Sequence, residues 1–359
     1  MQACCFSNSL KLLLLSLPQM HSLSPPLSLY LNRSSAFLRP PLKTRFHANS
    51  LASNHYSSRM GSLNDEIVHE FRFFRVYKDG RIEKFQSTEK IPPSDDQVSG
   101  VRSKDVVISS EPAISARIFL PKISDPSRKL PVLFYVHGGG FCFESAFSPR
   151  VHNYVSTLAA EANAVAVSVE YRLAPEHPIP ACYDDSWAAL QWLALHANGN
   201  GPEPWLNNHA DCDTVFVAGD SAGGNISHHL AARIGSTQLP NLMLVGAVLV
   251  HPYFGGTDDD KMWLYMCPEN GGLNDPRLRP AVEDLARLGC KRVLVFVAEK
   301  DHLREVGRRY CEELKKSGWG GTVEIVENEG EDHCFHLEDL KQQRAAALIK
   351  RFVSFVKQE

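Results

Sequence analysis

Gly219-Asp220-Ser221-Ala222-Gly223-Gly224-Asn225 follows an apolar run at 214–218 and opens a stretch with helical spacing at 222–234. A tight strand-to-helix turn forces its middle residue into a strained backbone conformation. Glycines two positions to either side let strand and helix approach without a clash. The helix that follows aims its free N–H groups at the turn and favours negative charge there. G-x-S-x-G is a short pattern, and its weight comes from the strand before it and the helix after it. The stretch therefore predicts that Ser221 is a nucleophile presented at the end of a buried strand.

Working outward, further apolar runs lie at 132–136, 164–169, 244–250, 293–298 and 323–326. With 214–218 they read as strands buried on both faces. Helical stretches near 150–162, 182–197, 222–234, 302–317 and 337–357 alternate with them. That alternation predicts an α/β fold, a twisted and mostly parallel sheet of about eight strands flanked by helices. The preceding strands, at 105–109 and 115–120, read as antiparallel. Further upstream, Asn64 or Asp65 is expected to cap a short helix carrying Ile67, Val68 and Phe71 on one side. Lys78-Asp79-Gly80 between 73–77 and 81–85 predicts a hairpin, and residues 86–100 read as a linker.

Composition narrows the function. The chain has 359 residues, 43% hydrophobic, enough for one large α/β domain. A net charge of −3 gives no basic field for nucleic acid. Nine scattered cysteines form no CxxC pair and read as reduced thiols of an intracellular compartment. None of the fifteen histidines falls in a zinc signature.

Residues 1–60 hold six basic groups and no acidic one, leaving −9 on the remainder. They are rich in Ser, Leu and Pro, the composition of an organelle transit peptide. Their one apolar run, at 12–17, is too short to span a bilayer. Met60-Gly61-Ser62-Leu63 looks like a natural start, so residues 1–59 are either a transit peptide or a dispensable extension. The first reading places the protein in the plastid, the second in the cytoplasm. Residues 60–359 form the functional domain.

A second motif, His137-Gly138-Gly139-Gly140-Phe141, follows the run at 132–136. Glycines there leave backbone N–H groups bare, as an oxyanion hole requires. The expected donors are Gly139 and Gly140, joined by the amide of Ala222, with His137 structural. A serine needs a base, and the base an orienting acid, in the chain order Ser, acid, His. Asp301 lies in the loop beyond 293–298, with Glu299 its nearest rival. His333 and His336 lie beyond 323–326, and His333 sits deeper in the loop. Cys142 lacks an elbow and reads as a small packing residue.

Together these motifs resemble the hormone-sensitive-lipase-like branch of the α/β-hydrolases, specifically the plant carboxylesterases related to gibberellin receptors. The resemblance covers about residues 64–357. It adds Tyr171-Arg172-Leu173-Ala174-Pro175-Glu176, His251-Pro252-Tyr253-Phe254, Asp301-His302-Leu303-Arg304-Glu305 and Asp332-His333-Cys334-Phe335-His336 to the two glycine motifs. It implies nucleophile Ser221, acid Asp301 and base His333, with residues 171–176 structural. It also implies a cap built from about 64–100 and a short insertion at 254–275. Phe141, Phe143, Trp263 and Tyr265 either line an apolar pocket or belong to the core.

The resulting expectation is a carboxylesterase acting on small to medium esters through an acyl-enzyme. It needs no cofactor or metal, binds no nucleic acid, spans no membrane, and is a monomer or weak dimer. Two alternatives use the same site, a lyase of the 2-hydroxyisoflavanone dehydratase type and a transesterase of the tuliposide-converting type. The legume dehydratases carry Thr where this chain has Ser221, which favours hydrolysis. A non-catalytic receptor is the third alternative, and His333 argues against it.

Overall fold

The computed structural model describes residues 65–358, so the readings for residues 1–59, for Met60–Leu63 as a start and for the Asn64 cap lie outside the described residues. Three short strands come first, β1 (Ile67–Glu70), β2 (Phe74–Tyr77) and β3 (Ile82–Lys84), paired antiparallel in one small sheet. The Asp-Gly hairpin forms as expected between β2 and β3. The expected helix at 65–71 does not form. Ile67 and Val68 are β-branched, and β2 offers them a ladder that outweighs a weak helical pattern.

The main sheet contains β4 (Arg102–Ser110), β5 (Ala113–Leu120), β6 (Leu130–Val136), β7 (Val165–Glu170), β8 (Ala210–Asp220), β9 (Leu244–Val250), β10 (Arg292–Ala298) and β11 (Thr322–Asn328). Their spatial order is β11-β10-β9-β8-β6-β7-β5-β4. From β7 through β11 the neighbours run parallel, while β5 pairs antiparallel with both β7 and β4. Val, Leu, Ala and Phe fill most of β6, β7, β9 and β10, almost wholly buried as strands covered on both faces must be. β11 departs from expectation. It is an edge strand, half exposed along its length, with Glu324 and Glu327 among its residues.

Among the described residues, eight α-helices accompany the sheet: α1 (Pro149–Ala162), α2 (Ala181–Ala194), α3 (Pro204–His209), α4 (Ala222–Thr237), α5 (Asp260–Met266), α6 (Val282–Leu285), α7 (Arg304–Lys316) and α8 (Gln343–Lys357). α1 starts where its chemistry dictates, with Ser148 Oγ accepting the Val151 N–H and Pro149 in the first turn. α1 and α8 pack on one face of the sheet, and α2, α4 and α7 on the other. α8 begins later than the apolar pattern suggests, because 335–337 is a separate 3-10 turn. α3, α5 and α6 are too short to leave a readable period.

Among the described residues no helix is long and apolar enough to cross a membrane. The seven described cysteines are all free and buried. Burial pushes the Cys142 and Cys290 thiols up to about 12 and that of Cys212 to about 11.

Candidate active site

The loops beyond the carboxyl ends of β6, β8, β9, β10 and β11 converge on one place, as they must in an open parallel sheet. Ser221, between β8 and α4, has φ 53° and ψ −116°. That conformation costs a non-glycine residue on the order of 1–3 kcal/mol. The cost is held by the surrounding backbone: Ser221 N–H donates to Val250 O at 2.8 Å, and Tyr253 N–H donates to Ser221 O at 3.1 Å. The flanking glycines are obligatory. A Cβ on Gly223 would stand 2.0 Å from Val136 O, and one on Gly219 would stand 2.4 Å from Gly223 O.

His333 Nε2 lies 2.9 Å from Ser221 Oγ, and His333 Nδ1 lies 2.7 Å from Asp301 Oδ2. Burial alone would push the Asp301 carboxyl up. Hydrogen bonds from His302, His333 and the Leu303 N–H outweigh it and hold the group well below the usual carboxylate range. An ionised Asp301 fixes the proton of His333 on Nδ1, which leaves Nε2 to accept from the serine hydroxyl. His336 points elsewhere, wholly buried against Tyr154 and His251. Glu299 accepts the Gly330 N–H at 2.6 Å and so braces the loop carrying His333.

Gly139 and Gly140 have φ of +92° and +57°. Their N–H groups donate to no partner among the described residues. Gly140, Ala222 and Ser221 border the same pocket, and Gly139 is not among the residues that line it. The glycine loop is anchored from below. Gly138 N–H donates to Asp220 Oδ1 at 3.2 Å, and Tyr171 OH donates to the carbonyls of His137 and Gly138 at 2.9 and 3.0 Å. His137 stacks on Tyr171 with ring centroids 4.3 Å apart. Arg172 pairs with buried Asp185, which gives residues 171–176 their structural place.

The pocket above Ser221 is a cavity of about 40 Å³, walled by Phe73, Phe141, Tyr253, Met262, Trp263 and Met266. Both segments assigned to a cap reach it, the first through Arg72 and Phe73, the second through Asp259 and α5. Phe141 and Trp263 line it. Phe143 instead packs on Phe73, and Tyr265 on His69, Phe71 and Phe74. A polar edge went unread in the sequence: Arg72, Asp259 and His302 close one side. Ligand atoms of His251, His333 and Cys334 come within 4.8 Å of one another. Both nitrogens of His333 are already engaged, and His251 Nδ1 accepts the Cys334 N–H at 2.9 Å, so these groups are committed to each other.

A family model described as the alpha/beta hydrolase fold matches residues 133–337. The chain belongs to this family. Within it, the chain is a serine hydrolase, and plant enzymes are among its relatives. It is 45% identical over 317 residues to probable carboxylesterase 5 of Arabidopsis thaliana, covering 82% of this chain and 99% of that one. Identity to 2-hydroxyisoflavanone dehydratase of Glycyrrhiza echinata is 42%, over 84% and 99% of the two chains. For tuliposide A-converting enzyme 2, chloroplastic, of Tulipa gesneriana it is 43%, over 83% and 81%. Among solved structures, the hyperthermophilic esterase of Pyrobaculum calidifontis superposes with a TM-score of 0.58 at 27% identity, covering 71% of this chain and 85% of that one.

Proposed function

We propose that the chain is a carboxylesterase whose nucleophile is Ser221, base His333 and acid Asp301. The observation that carries this reading is the unbroken hydrogen-bond chain from Asp301 through His333 to Ser221 beneath a mostly apolar pocket. Ser221 Oγ attacks the ester carbonyl carbon as its proton passes to His333 Nε2. The carbonyl oxygen becomes an oxyanion held by the amides of Gly139, Gly140 and Ala222. Collapse of the adduct breaks the bond to the alcohol, which leaves with the proton from His333 and an acyl-Ser221 behind. Water then attacks the acyl carbon as its proton passes to the same nitrogen, and the bond to Ser221 Oγ breaks as that proton returns to the serine and the acid leaves. In this reading residues 60–359 form the catalytic domain, with segments 64–100 and 254–275 as its cap.

Covalent labelling by a fluorophosphonate probe tests the assignment. Wild-type protein labels and Ser221→Ala does not; labelling that persists in Ser221→Ala overturns the nucleophile.

The dehydratase relative keeps a second reading in play, in which the same base and oxyanion donors drive elimination. Ser221 favours hydrolysis, because elimination needs no acyl acceptor. Product analysis separates the two, since only hydrolysis incorporates oxygen from labelled water into the acid. Residues 1–59 are proposed as a plastid address, supported by their acid-free basic composition and by the chloroplastic name of the tulip relative.

A further inference from the structure

His302 follows the proposed catalytic acid directly and has no part in the reaction just described, yet its ring is the most heavily engaged polar group at the pocket edge. Its Nδ1 lies 3.2 Å from Asp301 Oδ1, the oxygen that His333 leaves free, and its Nε2 lies 3.0 Å from Asp259 Oδ2. Arg72 Nη1 stands 3.2 Å from the same Asp259 oxygen and 3.1 Å from His302 Nε2. The His302 and His333 rings meet edge to face with centroids 5.6 Å apart. The groups facing His302 are thus Asp301, Asp259, Arg72 and His333.

We propose that His302 is a positioning residue: it clamps the second oxygen of Asp301, and with Asp259 and Arg72 it ties the acid to both segments that close the pocket. The inference rests on the triad reading. A carboxylate held on one oxygen by His302 and by the Leu303 N–H at 2.8 Å cannot swing its other oxygen away from His333. The clamp also sets charge. Asp259 first, then Asp301, raise the His302 imidazole to about 9, so it stays cationic at neutral pH. Above that value the neutral ring can still donate through Nδ1 to Asp301 and accept on Nε2 from Arg72. The His302 and His333 rings lie 5.6 Å apart, so loss of the His302 charge should show in the pH dependence of the rate.

Three variants and one pH series test this. His302 is partly exposed, so His302→Gln and His302→Lys are tolerated by the fold, which melting curves check. His302→Gln keeps a donor and loses the charge. It should lower kcat about tenfold with little change in KM, and move the acid limb of kcat/KM up by roughly half a pH unit. His302→Lys restores the cation and should return the limb to its wild-type position. Asp259→Asn should cost less kcat than His302→Gln, and nothing further in the His302→Gln background, because both act through one ring.

An unmoved acid limb in a well-folded His302→Gln enzyme overturns the clamp, as do losses from His302→Gln and Asp259→Asn that simply multiply. These results are separable from failure of the triad. If Ser221→Ala is dead while the His302→Gln profile is wild-type, only the clamp falls; if Ser221→Ala still turns over ester, the triad falls first.

Discussion

Asp220 accepts the N–H of Gly138, so the residue preceding the serine of the elbow holds the loop that follows β6. The same carboxylate takes the Tyr135 hydroxyl. Elbow and glycine loop are therefore one mechanical unit, joined through a side chain that is 3% exposed. Burial pushes the Asp220 carboxyl up, and the Tyr135 hydrogen bond pulls it part of the way back.

Asp220→Ala strands a buried hydroxyl and a buried N–H. It should destabilise the protein by about 3 kcal/mol in urea denaturation, and kcat should fall as well. Asp220→Asn still offers an acceptor to Gly138 and should lose less on both counts. Equal losses from the two would mean that charge, not the hydrogen bond, holds the loop.

His333→Ala should lower ester hydrolysis on the order of 10⁴-fold, whereas His336→Ala should act on stability alone. His336 fills a buried slot beside Tyr154, centroids 4.8 Å apart, and truncation leaves a void there. Steady-state rates together with thermal melts of both variants decide the matter. A catalytically dead but fully stable His336→Ala enzyme would exchange the two roles.

Acyl-chain preference should follow from the pocket. A cavity of only about 40 Å³ between aromatic and methionine side chains suits short chains, so p-nitrophenyl butyrate should exceed the laurate in kcat/KM by at least about tenfold. Met262→Ala, which opens the wall facing Gly140, should narrow that gap. A laurate rate equal to that of butyrate would show that the wall yields to substrate.

Acid should unfold the protein early. Burial lowers His152 and His229 to about 4 and His251 to about 3, and it holds His228 and His336 well below their ordinary value. These rings stay neutral in the fold and take protons once the chain opens. The unfolded state therefore binds more protons below about pH 6.5, and stability drops as pH falls from there toward 4. With about 1.4 kcal/mol per pH unit available from each ring, urea midpoints should fall steeply between pH 6.5 and 4.5. His302 works the other way: its raised value gives stability that is complete below about 6.5 and is lost as pH climbs through about 9. A urea midpoint that stays flat down to pH 4.5 would sink the acid prediction.

What was legible in the sequence was local. Gly219 and Gly223 are required by contacts within one strand-turn-helix unit, so the elbow could be read without its surroundings. Asp301 and His333 were chosen from chain order plus the ends of apolar runs, and the structure brings both side chains into one hydrogen-bonded chain with Ser221. The edge formed by Arg72, Asp259 and His302 was invisible because its members lie as much as 230 positions apart. The strand at 67–70 was misread for a similar reason. Its partner decides its conformation, and Ile67 and Val68 stay exposed, so burial left no period of 2 to read.

The buried thiols have a practical corollary. Seven cysteines sit on both faces of the main sheet and in the loops over it, none more than 8% exposed. A thiol reagent added to native protein should leave these seven described cysteines unmodified, since thiolate is scarce and access is closed. Once the domain opens, all seven become reactive together. The chain thus carries its own unfolding counter, and the number of thiols modified at partial denaturation reads directly whether the two faces of the sheet come apart in one step or in two.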